Sequence, residues 1–113
     1  MKLPIFFTLQ FLKNRFNAKT IMKQRNLYIT TAQLSRFCNA EVENYNNSED
    51  KSEVRIKLIR SIEMSYKTYF FISYIPVLSA ITMLTLKEDK EKKIVEDFFF
   101  RLEKFMIENG KEA

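Results

Sequence analysis

The chain has 113 residues, of which 46% are hydrophobic and 29% are charged, a balance typical of one globular domain. It contains no histidine and one cysteine, which removes the commonest general base, the commonest metal ligand and any internal disulfide. One glycine and two prolines are too few for the many tight turns of a β-sandwich or barrel. We therefore predict a single all-α domain spanning 1–113, a small antiparallel bundle of about four helices with no cofactor and no metal.

The net charge of +5 is distributed unevenly along the chain. Residues 1–40 contain seven basic side chains and no acidic one, whereas the remainder contains 12 basic and 14 acidic side chains. This split favours an anionic partner for the N-terminal third, either nucleic acid, a membrane surface or an acidic protein. The alternative is that the basic third neutralises the acidic rest of the fold. The predicted nucleic-acid contacts are Lys13, Arg15, Lys19, Lys23, Arg25 and Arg36.

The first 18 residues have an apolar beginning that turns basic, and we expect them to form a separate amphipathic helix. If this helix does not fold back onto the bundle, Phe6, Phe7 and Phe11 form a partner-docking surface. Alternatives are a signal peptide, although only one charge precedes the apolar core, and an organelle-targeting helix. Met22 is an alternative start of the protein.

Apolar residues at spacings of three and four predict a long helix from Thr20 to about Tyr45, which places Cys38 in the core. The asparagine-rich stretch 44–48 ends it, and Ser48 followed by two acids is the expected start of the next helix. The second helix carries an apolar stripe that continues as far as Phe70.

Residues 68–86 contain no charged side chain. The length of this uncharged stretch is close to that needed to cross a bilayer. Two tyrosines, several hydroxyls and a central proline favour a buried third helix instead, kinked or restarted at Pro76. We expect a cytoplasmic protein, with membrane association through 1–16 or 68–86 as the alternative.

A capping box at Thr85–Glu88, or a cap at Asp89, is expected to open the last helix, which ends before Gly110. Its apolar face consists of Ile94, Val95, Phe98, Phe99, Leu102, Phe105 and Met106. Three consecutive phenylalanines cannot all face one core, so Phe98 or Phe100 is expected to point sideways or outward. Phe100 is therefore a fourth predicted partner contact.

The residues from Asn26 to Gly110 resemble the four-helix-bundle accessory proteins of some bacterial reverse transcriptases. The likeness rests on the long helix ending in Glu43-Asn44-Tyr45-Asn46, the charged restart at 49–51 and the stripe of Leu58, Ile62 and Tyr69. Pro76 and the missing Gly-Trp ending depart from that pattern. The resemblance implies a basic, oligomeric bundle that binds RNA together with its polymerase, and we carry over no residue role.

No nucleophile–base pair or glycine-rich phosphate loop is available, so we predict a protein that is not an enzyme. The favoured function is that of an accessory protein whose basic N-terminal third contacts nucleic acid or a nucleoprotein complex. Phe16 and Tyr28 lie among the basic residues, where they either stack on bases or pack inward. The alternatives are a protein–protein interaction module, such as a small inhibitor or assembly subunit, and a membrane-associated helical protein. A protein partner or a homo-oligomer is expected.

Overall fold

A computed structural model describes residues 27–113. Four helices contain 70% of these residues: α1 (Thr31–Asn46), α2 (Glu53–Ser65), α3 (Tyr74–Leu84) and α4 (Asp89–Asn109). Three short strands accompany them: β1 (Leu27–Thr30), β2 (Tyr69–Phe71) and β3 (Lys111–Glu112). The predicted mostly helical chain is confirmed. The prediction of an all-α fold is corrected by the sheet, in which β1 is central and pairs antiparallel with both neighbours.

The predicted helix from Thr20 to Tyr45 is wrong for its described N-terminal part. Residues 27–30 form β1, and α1 begins only after Thr30, which caps it. The Thr30 hydroxyl accepts a hydrogen bond from the Gln33 backbone N–H at 3.3 Å, and the Gln33 side chain accepts one from the Thr30 N–H at 2.9 Å. This reciprocal capping box satisfies two backbone groups at the helix start and separates the strand from the helix.

The second helix is shorter at both ends than the sequence predicts. It begins at Glu53 after Ser52 rather than at Ser48, and it ends at Ser65 rather than continuing to Phe70. Residues 69–71 extend instead because they pair with β1, in a register that joins Ile29 to Phe70. Local periodicity cannot report this contact, since its two strands are far apart in the sequence.

Helix α3 is a separate helix that contains Pro76 in its first turn. The first backbone N–H groups of a helix have no intrahelical acceptor, so the proline removes no hydrogen bond there. The uncharged stretch 68–86 is thus divided between a strand and an 11-residue helix. Within residues 27–113, no helix combines the length and the apolar character needed to span a bilayer.

The core lies where the four helices pack together and against the inner face of the sheet. The predicted face of α4 is largely confirmed, because its most buried members have almost no exposed surface: Val95, Phe98, Phe99, Leu102 and Met106. Cys38 is completely buried, as predicted. Helix α4 ends at Gly110, whose N–H donates to the Met106 carbonyl at 2.7 Å. A Cβ at Gly110 would lie 2.6 Å from that carbonyl oxygen, so only glycine allows β3 to return beside β1.

Candidate nucleic-acid interface

The sheet has one buried face and one outer face because side chains alternate along each strand. In β1, Leu27 and Ile29 are buried, and in β2 the buried residue is Phe70. The residues between them are therefore on the opposite face: Tyr28, Thr30, Tyr69 and Phe71. Lys111 of β3 lies directly opposite Tyr28 and shares this outer face.

Three aromatic rings form one continuous group on the outer face, which we call the aromatic face: Tyr28, Tyr69 and Phe71. The ring centroid of Tyr28 is 5.1 Å from that of Tyr69 and 5.5 Å from that of Phe71. Tyr69 keeps 48% of its surface exposed, and the other two rings are partly exposed. Such rings offer flat apolar surfaces to a ligand that stacks.

Further aromatic residues hold the edge of this face in position. Phe71 contacts the ring of Tyr74 at the start of α3, with centroids 5.6 Å apart. Tyr74 is in turn stacked on Tyr66 at 5.4 Å, just beyond the end of α2. Phe71 is thus held by a ring at the start of α3 as well as by strand pairing, which reduces the conformational entropy lost on binding.

Hydrogen bonds outside the ladder attach β2 firmly to β1. The Ile72 N–H donates to the Leu27 carbonyl at 2.8 Å, after the last residue of β2. At the other end of β2, just before its first residue, the Thr68 carbonyl accepts hydrogen bonds from both the backbone N–H and the hydroxyl of Thr31, at 3.2 and 3.0 Å. A three-residue strand is therefore anchored at both ends.

Two lysines of the described part lie near the aromatic face, Lys111 through strand register and Lys67 through its position in the sequence. Both are exposed, Lys111 opposite Tyr28 and Lys67 two positions before Tyr69. An ammonium group beside an aromatic surface suits a polyanion whose bases stack, because phosphate and base then have separate partners.

The predicted site residues are placed only in part. Arg36 is exposed on α1, and Phe100 is half-buried on α4. Because both residues lie on helices, strand pairing does not place them beside the aromatic face. The other predicted contacts lie outside the described residues: Lys13, Arg15, Lys19, Lys23, Arg25, Phe6, Phe7 and Phe11. Tyr28, which the sequence left open between stacking and inward packing, lies on the outer face.

Tyr69 and Phe71 are functional candidates that the sequence reasoning missed. Both lie in the stretch read as a buried helix or membrane segment, where the run of β-branched and aromatic residues from Thr68 to Ile72 was the available signal of a strand. Three residues are too short for such a signal to outweigh the surrounding helical spacing.

A second polar cluster lies inside the fold and joins three helices. Glu41 of α1 is 3% exposed and accepts two hydrogen bonds from Arg101 of α4, at 2.9 and 2.8 Å. Arg55 of α2 adds a longer contact of 3.6 Å to the same carboxylate. The pocket beside it is lined by two arginines and by Asp50 and Asp97, so opposite charges balance. We assign this cluster to stability, because an unpaired buried carboxylate costs about 3–5 kcal/mol.

Two buried ionisable groups have strongly raised pKa values. Burial, and secondarily the charges of Glu63 and Glu41, raises the pKa of the Cys38 thiol to about 12, which leaves it a protonated and unreactive core residue. Burial raises the pKa of the Glu103 carboxyl to about 7. Among residues 27–113, no three histidine, cysteine or acidic side chains converge in a way that would hold a metal ion.

No protein-family model matches the chain, and neither does any curated protein or solved structure.

Proposed function

We propose that the chain is a non-enzymatic accessory protein that binds single-stranded nucleic acid. Bases stack on the aromatic face, and phosphates bind the basic N-terminal third. The observation that carries the proposal is the placement of Tyr28, Tyr69 and Phe71 side by side on the outer face of the sheet. Arg25 and Lys23 precede β1 in the sequence, so the central strand of this sheet directly follows the basic region.

Stacking accounts for affinity without sequence specificity. Every base has a flat π surface, and removing one stacking ring typically costs ~1–3 kcal/mol. A duplex keeps its bases stacked on each other, whereas a single strand can turn them toward protein rings. The aromatic face therefore favours a single strand over a duplex as the ligand.

The distribution of charge supports the same ligand. Residues 1–26 contain six basic and no acidic side chains, whereas residues 27–113 contain 13 basic and 14 acidic ones. The described part is thus almost neutral, and the electrostatic contribution to binding comes mainly from the N-terminal part, with Lys111 and Lys67 beside the aromatic face. The resemblance to reverse-transcriptase accessory proteins makes RNA the strand to test first.

The experiment is fluorescence anisotropy of a labelled oligouridine titrated with the full chain. We expect Tyr69→Ala to weaken binding by ~5- to 100-fold, the effect of losing one stacked base, and Tyr69→Phe to retain binding. The matched control is Tyr45→Ala, which removes a tyrosine from the end of α1, away from the sheet. Circular dichroism on all variants verifies that they fold.

A second variant separates the two contributions to binding. Reversing the charge of Lys19, Lys23 and Arg25 is expected to reduce the dependence of affinity on salt, which scales with the number of phosphates contacted, at ~0.7 per phosphate for single strands. If Tyr69→Ala binds as tightly as the unmodified chain, the aromatic face is not the interface. If the unmodified chain does not bind the strand at low salt, the proposed function is wrong.

A further inference from the structure

Helix α3 has apolar side chains on two faces, only one of which the fold buries. The inner side chains of Ile75, Ala80 and Met83 are buried in the core. The outer side chains of Val77, Ile81 and Leu84 are 48%, 56% and 62% exposed and follow one another at spacings of four and three. We call these three residues the α3 ridge. Exposed aliphatic residues grouped in this way mark an interaction surface.

A groove runs beside the α3 ridge, between α2 and α3. Its lining is mostly apolar and includes the buried Leu58, the partly buried Val54 and one flank of Ile81. The remaining lining residues are small or long-stemmed polar ones: Lys57, Ser61, Thr82 and Thr85. The molecule therefore presents an aliphatic ridge and an apolar groove next to each other.

Charges at this surface are few and of both signs. No charged residue occurs from Thr68 to Leu86, so α3 contributes none. At the groove, Lys57 is paired with Glu53 at 3.9 Å, and their side chains are 78% and 86% exposed. A surface of this kind can approach an identical surface without repulsion, and opposite charges at its rim can exchange partners.

We propose that the α3 ridge and the adjoining groove form the contact between two copies of this chain. A two-fold axis that places the ridge of one copy in the groove of the other automatically places the second ridge in the first groove. Eight aliphatic and hydroxyl-bearing side chains on each copy are thereby covered, and Lys57 of one copy meets Glu53 of its partner. None of the residues of this contact belongs to the aromatic face.

The shape and charge of the surface favour a second copy over a lipid surface. Helices that lie on anionic membranes carry lysine and arginine on their polar face, next to the inserted apolar residues. Helix α3 has neither residue. A groove beside a ridge also matches another helix pair, whereas a bilayer surface would leave the groove unfilled.

The test is sedimentation velocity of the full chain, from ~1 to ~100 µM, the range in which a modest interface associates. We expect a monomer–dimer equilibrium that Ile81→Glu weakens by ~30-fold or more, as for a central interface residue. The matched control is Ala40→Glu on α1, an exposed helical position away from α3, which should leave the equilibrium unchanged.

A charge exchange at the rim gives a second measurement that does not alter the ridge. Lys57→Glu is expected to weaken the dimer by ~3- to 10-fold, the size of a rim charge effect. An equimolar mixture of Lys57→Glu and Glu53→Lys chains is expected to restore the dimer, because opposite charges then meet between the copies. The pair within each chain stays broken in this mixture, so a structural role of that pair would not produce the recovery.

Three results would overturn the proposal. The first is a chain that stays monomeric over the whole concentration range. The second is a dimer that Ile81→Glu does not weaken, because another surface then mediates it. The third is a monomer that sediments with vesicles of phosphatidylcholine and phosphatidylglycerol and loses this binding in Ile81→Glu, which would assign the ridge to a lipid surface.

Discussion

Helix α4 has 21 residues with charges along its whole length, whereas α3 has 11 residues and no charge. In α4 the apolar side chains form one stripe that the core covers, and the charged ones, apart from the buried Glu103, face outward or form ion pairs. In α3 the apolar side chains surround the helix, and the core covers only some of them.

This difference separates hydrophobic residues that the fold requires from those that it does not. A helix that serves only the fold needs one apolar stripe, because its other side is in water. Helix α3 retains Val77, Ile81 and Leu84 on a side that the fold leaves exposed, where polar residues would favour solubility. The comparison predicts large effects of substitution on stability in α4 and small ones on the outer side of α3.

The largest effect is expected at the centre of the α4 stripe. Phe98 is completely buried and touches the rings of Phe37 and Phe99, with centroids 5.7 and 5.3 Å away. Phe98→Ala is expected to lower the free energy of unfolding by ~3–5 kcal/mol, since it leaves a cavity that the neighbouring rings cannot fill. Urea unfolding followed by circular dichroism measures this loss. Lys104→Ala, an exposed position on α4, is the control and should change stability by less than ~0.5 kcal/mol.

An intermediate effect is expected at Glu103, which is 2% exposed on the same helix. Burial raises its pKa to about 7 in the folded chain, whereas the usual value is 4.5. The folded state therefore holds a proton that the unfolded state releases, and stability falls as the pH rises from about 4.5 to about 7. The loss attributable to this group is on the order of 3 kcal/mol, and it is complete above the folded pKa.

Glu103→Gln removes this titration. We expect the variant to be more stable than the unmodified chain at pH 8, and less dependent on pH below it. Glu108→Gln, at an exposed position one turn away, serves as the control. Equal pH profiles for Glu103→Gln and the unmodified chain would show that this carboxyl does not titrate in the predicted range.

The sequence predicted the apolar face and the end of α4 well because both are local, whereas the predicted cap was wrong: the N-cap is Glu88, which makes no side-chain capping hydrogen bond. Its apolar spacing and its i to i+4 pair of Lys93 and Asp97 lie within the helix, and Gly110 follows its last residue directly. The structure contains the pair at 3.7 Å. A local signal for the start of α1 was also present, namely the capping box of Thr30 and Gln33. The spacing of Leu27, Thr31 and Leu34 continues the apolar pattern of the helix, however, so the sequence does not reveal the strand.

The aromatic face could not be predicted in the same way, because long-range pairing creates it. Tyr28 and Phe71 become neighbours only when β1 and β2 pair, and nothing near either residue specifies the register. The uncharged stretch 68–86 gave a correct signal of unusual hydrophobicity. Its division into a strand and a helix with one exposed side required the tertiary structure.

The smallest effect on stability is expected on the outer side of α3, and one substitution at two positions tests it. Ile81→Gln replaces an aliphatic side chain that is 56% exposed, and Ile75→Gln replaces one that is 1% exposed. At ~1 µM, where a modest dimer is dissociated, Ile81→Gln should change the free energy of unfolding by less than ~0.5 kcal/mol. Ile75→Gln should lower the free energy of unfolding by several times more, because it buries an amide without a hydrogen-bond partner.

The same pair connects stability to association. If the α3 ridge serves only an interface, Ile81→Gln lowers the apparent stability at high protein concentration and not at low concentration, since dissociation is then coupled to unfolding. A loss of several kcal/mol at ~1 µM would instead mean that Ile81 contributes to the fold of the monomer. In that case α3 and α4 would use their apolar residues alike, and the exposed side of α3 would not indicate an interface.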